Sequence, residues 1–141
     1  FHLVGLATLL FAVGLFASPD VAHAEDSPIG VWKTIDDESG EAKSLVKIYE
    51  RNGKLYGRIT KLLLKPGALC DKCEGEDKGK PIEGMLFLWG LEKDGDEWTD
   101  GRIFDPAKGK TYNCKIWLEG GKLKVRGYAG PFFRTQTWHR S

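Results

Sequence analysis

The feature that constrains this chain most is the spacing of its turn signals. Between Ile29 and Arg140, runs of two-residue alternation are cut at short intervals by Gly, Asn, Asp and Pro, and no stretch carries a helical period. The runs predict strands over Ile29 to Asp36, Ser44 to Glu50, Leu55 to Leu64 and Ile82 to Leu91. Four more follow over Trp98 to Phe104, Thr111 to Leu118, Lys122 to Gly127 and Arg134 to Arg140. Asn52-Gly53 and Gly120-Gly121 are two-residue hairpin signals, because a type I′ turn needs positive φ at both centres. Asp105-Pro106-Ala107-Lys108-Gly109 turns the chain with a proline that presets φ and a glycine that takes the left-handed position. A longer polar segment, Lys65 to Pro81, interrupts the rhythm.

Connections this short rule out a parallel sheet, whose crossovers need a dozen residues or more. An antiparallel meander remains. Left open it would expose two long edges, and closing it removes both. The expected fold is therefore all-β: a single small, antiparallel, up-and-down barrel of eight strands. A β-sandwich is the alternative, since alternation alone does not report closure, and the lack of a Greek-key crossover favours the barrel. An eight-stranded barrel is just wide enough to pack its interior or to hold one small ligand.

The N-terminal region reads differently. Phe1 to Ala17 is uncharged and almost wholly apolar, and it leads through Ser18-Pro19-Asp20 to Ala22-His23-Ala24, a small-residue pattern of the kind signal peptidase cuts. Residues 1–24 are expected to be a signal peptide whose positive first region is missing, and residues 25–141 the barrel domain. A retained anchor is the competing reading, but the apolar run is slightly short for a span. Export places the protein in the bacterial periplasm or outside the cell, with no integral membrane span after processing.

Charge excludes other partners. All 21 Lys and Arg residues face 20 Asp and Glu, one of which, Asp20, leaves with the leader. The signs are interspersed, so nothing marks a nucleic-acid surface. No cofactor loop, nucleophile elbow or metalloprotease helix is present, and His139 is the one histidine beyond the leader. Asp36, Asp37, Glu38, Asp94 and Asp96 fall where turns want acidic residues. Asp105 with Lys110 is the first pair to inspect for a polar site, although a hairpin explains it adequately. The expectation is a binding protein with no catalytic residues and no cofactor.

Gly30-Val31-Trp32 resembles the G-x-W opening of lipocalins. More specifically, Gly30-Val31-Trp32-Lys33-Thr34, Cys70-Asp71-Lys72-Cys73 and Gly79-Lys80-Pro81-Ile82 are similar to a secreted bacterial family known as domain of unknown function twenty-one forty-seven. The likeness continues through Trp98, Gly101, Asp105-Pro106, Gly109-Lys110-Thr111-Tyr112, Arg126-Gly127-Tyr128 and Arg134-Thr135-Gln136-Thr137-Trp138. It implies a lipocalin-like barrel in the cell envelope and no particular activity. The G-x-W resemblance to lipocalins implies in turn that Trp32 sits at the closed end under an arginine near the last strand, Arg140 or Arg134, by a cation–π stack.

Three cysteines in an exported chain leave one unpaired. A Cys70–Cys73 bridge is favoured because both lie in one polar loop; a bridge from either to Cys114 would staple that loop to a strand. Cys114 itself falls on the apolar face of its strand, where it reads as a small buried hydrophobe. A zinc site of Cys70, Cys73, Cys114 and His139 is the sharper alternative, disfavoured in an oxidising compartment.

The remaining candidates concern a ligand. Val46 with Ile48, Tyr112 with Ile116, and Leu123 with Val125 read as inward pairs. Phe87 and Trp89 lie near Tyr112 across the lumen. Together these eight are expected to line a pocket for one small apolar molecule. The alternative is a solidly packed barrel whose functional surface is the loop 65–81 together with Gly130-Pro131-Phe132-Phe133.

Overall fold

A computed structural model describes residues 27–141. The expected leader and its cleavage point after Ala24 lie outside the described residues. Eight strands follow in chain order: β1 (Gly30–Ile35), β2 (Ala42–Arg51), β3 (Lys54–Leu62), β4 (Leu86–Asp94), β5 (Glu97–Asp105), β6 (Lys110–Glu119), β7 (Lys122–Ala129) and β8 (Phe132–Arg140). Each pairs antiparallel with the next and β8 returns to β1, so the sheet is a closed up-and-down barrel and not a sandwich. Asn52 and Gly53 have φ of 53° and 80°, and Gly120 and Gly121 have 61° and 79°, as two-residue I′ turns require.

The meander gives the barrel two unlike ends. One gathers the β2–β3, β4–β5 and β6–β7 turns, the start of β1 and the finish of β8. There Trp32 is fully buried, its indole N–H donates to the Pro28 carbonyl at 2.8 Å, and the Arg140 guanidinium lies 4.0 Å from the ring centroid. Arg140 also donates to the carbonyls of Ile29 and Ser27, which ties the incoming chain across the barrel floor. Gly30 is required here twice over: its φ is +137°, and a Cβ would stand 2.9 Å from the Arg140 guanidinium. Of the two arginines expected over Trp32, it is Arg140 that covers the ring.

Above this floor, Trp138, Ile48, Leu55, Leu88, Leu91, Ile116, Leu123 and Val46 are fully buried. Two glycines make room for them. A Cβ on Gly57 would stand 3.1 Å from Leu88 Cβ, and one on Gly101 would stand 2.5 Å from Leu91 Cδ2. Nearer the other end a buried polar pair, Thr34 and Ser44, satisfies itself through a 2.6 Å hydroxyl–hydroxyl bond.

β4 departs from the sequence reading. It starts at Leu86, not Ile82, because Gly84 turns the chain with φ of 93°. Its apolar residues on both faces come from bulges and not from cover on two sides. Gly57 pairs with Leu88 and Arg58 with Leu86, so Phe87 is an extra residue, and Phe87 and Leu88 are both buried. A second extra residue lies at Gly90, with φ of 75°, and a third in β5 at Asp100, with φ of 62°.

The 65–81 segment is pinned and not a free loop. Cys70 and Cys73 are bonded to each other, and the Cys70 backbone exchanges hydrogen bonds with Lys80 and Gly79 at 2.8 Å each. A single 3-10 turn, Gly75–Asp77, is its one helical element. Gly109 meets it so closely that a Cβ there would stand 2.5 Å from the Lys72 carbonyl oxygen. The disulfide loop therefore rests on the β5–β6 turn. Cys114 is the free cysteine, buried on the inward face of β6, and burial pushes its thiol up to about 12.

Two outcomes follow. Replacing Gly101 by Ala overpacks the interior and should cost about 1–3 kcal/mol. Gly127→Ala places its Cβ in ordinary contact, 3.7 Å from Tyr112 Cβ, and should stay within about 0.5 kcal/mol of the parent. Urea unfolding followed by tryptophan fluorescence measures both, and equal costs would contradict this packing. Alkylation of unreduced protein should leave Cys114 unlabelled while folded and label that one thiol after unfolding, whereas labelling at Cys70 or Cys73 would contradict the bridge.

Candidate functional site

The second barrel end collects the β1–β2, β5–β6 and β7–β8 turns and the disulfide loop. A cup of about 280 Å³ opens there. Its apolar wall comes from Ile103 of β5, Tyr112 of β6, Val125, Gly127 and Ala129 of β7, and Phe132 and Phe133 of β8. The register explains why these meet: Ile103 pairs with Tyr112, Val125 with Gln136, and Gly127 with Arg134. Gly127 leaves the space a side chain would fill, and its φ is not in the left-handed region.

Four polar residues share the cup: Asp105, Lys108, Arg134 and Gln136. Asp105 Oδ1 accepts the backbone N–H groups of Ala107 and Lys108 at 2.9 and 3.4 Å, so its carboxylate is engaged in shaping the β5–β6 turn. Arg134 pairs with Asp37 of the β1–β2 turn. That pair bridges the seam where β1 and β8 have parted, since their pairing extends only over Trp32–Arg140 and Lys33–His139. Both partners are about half exposed, so the pair fixes geometry more than it stabilises.

Gln136 sits where the packed core ends. The Trp138 indole N–H donates to Gln136 Oε1 at 3.1 Å. Trp138 is 1% exposed, and Phe87 lies against it with ring centroids 6.0 Å apart. Outside the rim, Arg126 stacks 4.3 Å over Phe133 and 5.0 Å over Trp117, which holds the Phe133 ring in place while Phe132 stays 75% exposed.

A second hollow, about 410 Å³, separates the disulfide loop from the β1–β2 and β5–β6 turns. Its lining includes Leu64, Lys65, Leu69, Asp71 and Lys72, all exposed. The cup is the better-built site despite its smaller volume, because Ile103, Tyr112, Val125 and Gln136 of its lining stand on paired strands of the barrel.

The expected ligand residues divide by height in the barrel. Tyr112 and Val125 line the cup. Val46, Ile48, Ile116 and Leu123 lie in the packed interior, each fully buried, and Phe87 packs with them against Trp138. Trp89, beside the Gly90 bulge, is half buried and is not part of the cup wall. The structure does not bring the zinc candidates together. Cys70 and Cys73 are bonded in the open-end loop, Cys114 is inside the barrel, and His139 pairs with Lys33 near the floor. Among the described residues no group of three or more His, Cys, Asp or Glu is placed to hold a metal ion.

Sequence reasoning missed Ile103, Gln136 and Lys108 as cup residues. The signal for Gln136 was present: alternation from Trp138 places it inward, but a search for apolar pairs passes over it.

The comparisons agree with this geometry. Protein HP1028 of Helicobacter pylori, described as belonging to the lipocalin family, is a structural neighbour with a TM-score of 0.72. The two share 22% sequence identity over 82% of this chain and 83% of that one, a likeness of fold. No curated protein matches the chain. The sequence profile of a bacterial family, described as uncharacterized protein conserved in bacteria (DUF2147), matches residues 30–140. This chain, a closed lipocalin-like barrel, belongs to that family.

Proposed function

We propose that the protein is a binding protein of the bacterial envelope that holds one small, largely apolar molecule in the cup at the open end of its barrel. The observation that carries this reading is the division of the interior. Below Gln136 the barrel is filled by side chains, and above it seven apolar or aromatic residues surround about 280 Å³. That volume is close to the lower limit of small-molecule pockets. The ligand is correspondingly small, and it sits at the mouth and not deep in the lumen.

Other features support the same reading. The cup wall contains no His or Cys, and the one free thiol is held protonated by burial. A binding role fits such a wall better than a nucleophile-and-base mechanism does. The disulfide suits an oxidising compartment, and among the described residues no helix is long and apolar enough to cross a membrane.

A second reading rests on the exposed apolar side chains of the same end. Leu69 is 52% and Phe133 58% exposed, beside Phe132. In that reading the rim and the disulfide loop meet a protein partner. Shortening the loop between Cys73 and Pro81 should then remove the partner; an unchanged set of captured proteins would rule the loop out.

The cup is tested with a neutral probe. Octan-1-ol titrated into labelled protein should shift the amide resonances of Ile103, Tyr112, Val125, Ala129 and Gln136. Filling the cup with Gly127→Leu should weaken binding at least about tenfold, or about 1.4 kcal/mol. Shifts centred elsewhere, or binding indifferent to Gly127→Leu, would sink the reading.

A further inference from the structure

The barrel closes through a short seam. β8 pairs with β7 from Ala129–Phe132 to Leu123–Trp138, but with β1 only at Lys33–His139 and Trp32–Arg140. The Ser141 N–H donates to the Val31 carbonyl at 3.0 Å, so Trp32–Arg140 is a non-hydrogen-bonded pair and Lys33–His139 the hydrogen-bonded one beside it. His139 therefore turns its backbone N–H and C=O toward β1. Along a strand these groups alternate between the two edges, so Thr137, Thr135 and Phe133 face the same way. The two-residue Gly130-Pro131 turn gives the same alternation from the other end, since it makes Ala129–Phe132 a hydrogen-bonded pair of β7 and β8.

Nothing meets the backbones of Phe133, Thr135 and Thr137 on that edge among the described residues. β1 has ended at Ile35, where β2 carries an extra residue, Lys43. Phe133 is 58% exposed and Thr135 is exposed, so the edge is open to solvent. An unpaired edge is a template for another strand, and natural edges are commonly blunted by Lys or Pro. Phe133-Arg134-Thr135-Gln136-Thr137 contains neither, and its Phe and Thr residues are strong strand formers. One guard crosses the seam: the Arg134–Asp37 ion pair, half exposed on both sides and so easily parted.

The edge is complementary to itself. Laid antiparallel on a twin about Thr135, it sets Thr135 opposite Thr135 and Phe133 opposite Thr137, and every unpaired N–H meets an unpaired C=O. Those pairings, Thr with Thr and aromatic with β-branched, are favourable ones across strands. On the inner face Arg134 stands opposite Gln136. A register centred on Arg134 would instead bring two guanidiniums together. We propose that the open edge of β8 binds the same edge of a second copy of this chain, antiparallel about a two-fold axis at Thr135. The contact is isologous and narrow, which places it among weak, concentration-dependent interfaces. It holds or fails independently of the cup.

Sedimentation of the purified protein from about 1 μM to about 1 mM should show a monomer passing into a dimer. Amide exchange over the same range should slow at least about tenfold at Phe133, Thr135 and Thr137, the N–H groups that the monomer leaves in water. Thr135→Lys puts like charges on the axis and should keep the protein monomeric throughout, while an equal mixture of Thr135→Lys and Thr135→Glu should pair again. The Thr135 side chain lies on the outer face, where Arg126 Nε donates to it, and unchanged tryptophan fluorescence shows that each variant keeps its core. A monomer at every concentration, its edge amides still fast, would overturn the second copy and leave the edge to a different polypeptide. A dimer that Thr135→Lys leaves intact would place the contact elsewhere and overturn the proposal. Slow exchange at these amides at every dilution would mean that the chain covers its own edge, and would overturn it too.

Discussion

Eight antiparallel strands close around an interior only wide enough for a few layers of side chains. Every other property of this barrel follows from how that small volume is shared. Two tryptophans, Trp32 at the floor and Trp138 at mid-height, take the largest part of it. Gly57 and Gly101 surrender their side-chain space to Leu88 and Leu91, which pack in the same core. With the lower interior filled, the cup opens at the other end, where Gly127 contributes no side chain to the wall.

The floor and the cup are linked by hydrogen-bonding needs of indoles. Each tryptophan ring is apolar enough to fill the core, yet each carries one N–H that must be answered when buried. Trp32 finds the Pro28 carbonyl and so draws the incoming chain across the floor, where Arg140 holds it. Trp138 finds Gln136 and so fixes the orientation of an amide at the base of the cup. The same physical requirement closes one end of the barrel and gives chemical polarity to the other.

Much of the architecture was legible in the sequence because the devices that make it are local. Asn52-Gly53 and Gly120-Gly121 dictate tight hairpins, and tight hairpins between eight alternating runs leave little besides a closed meander. Gly30-Val31-Trp32 marked the floor, and Cys70 and Cys73 marked the bridge. Alternation tells which face of a strand a residue occupies but not its height along the barrel axis. That is why Ile48 and Leu123, inward like Tyr112 and Val125, turned out to be packed core and not cup. Bulges were hidden for a related reason: an extra residue such as Phe87 resets the alternation, and an apolar run looks the same with or without it. The role of Gln136 depended on its bond to Trp138, which no pattern of hydrophobicity reports.

The disulfide loop belongs to the same economy of space. Its bridged tip rests on Gly109, and Gly109 ends the turn that supplies Asp105 and Lys108 to the cup. Ligand chemistry at the mouth is thereby built on a turn supported from outside the barrel. The central claim is that the ligand lies in the cup above Gln136 and not among the side chains packed below it. A crystal structure with 8-bromo-octan-1-ol locates the ligand through the anomalous signal of its bromine. The account predicts that signal within the cup, bounded by Ile103, Val125 and Phe132, with the side chains around Trp32 and Ile48 unmoved. Bromine among Trp32, Ile48 and Leu123 would show that the lower barrel opens to ligand, and would contradict it.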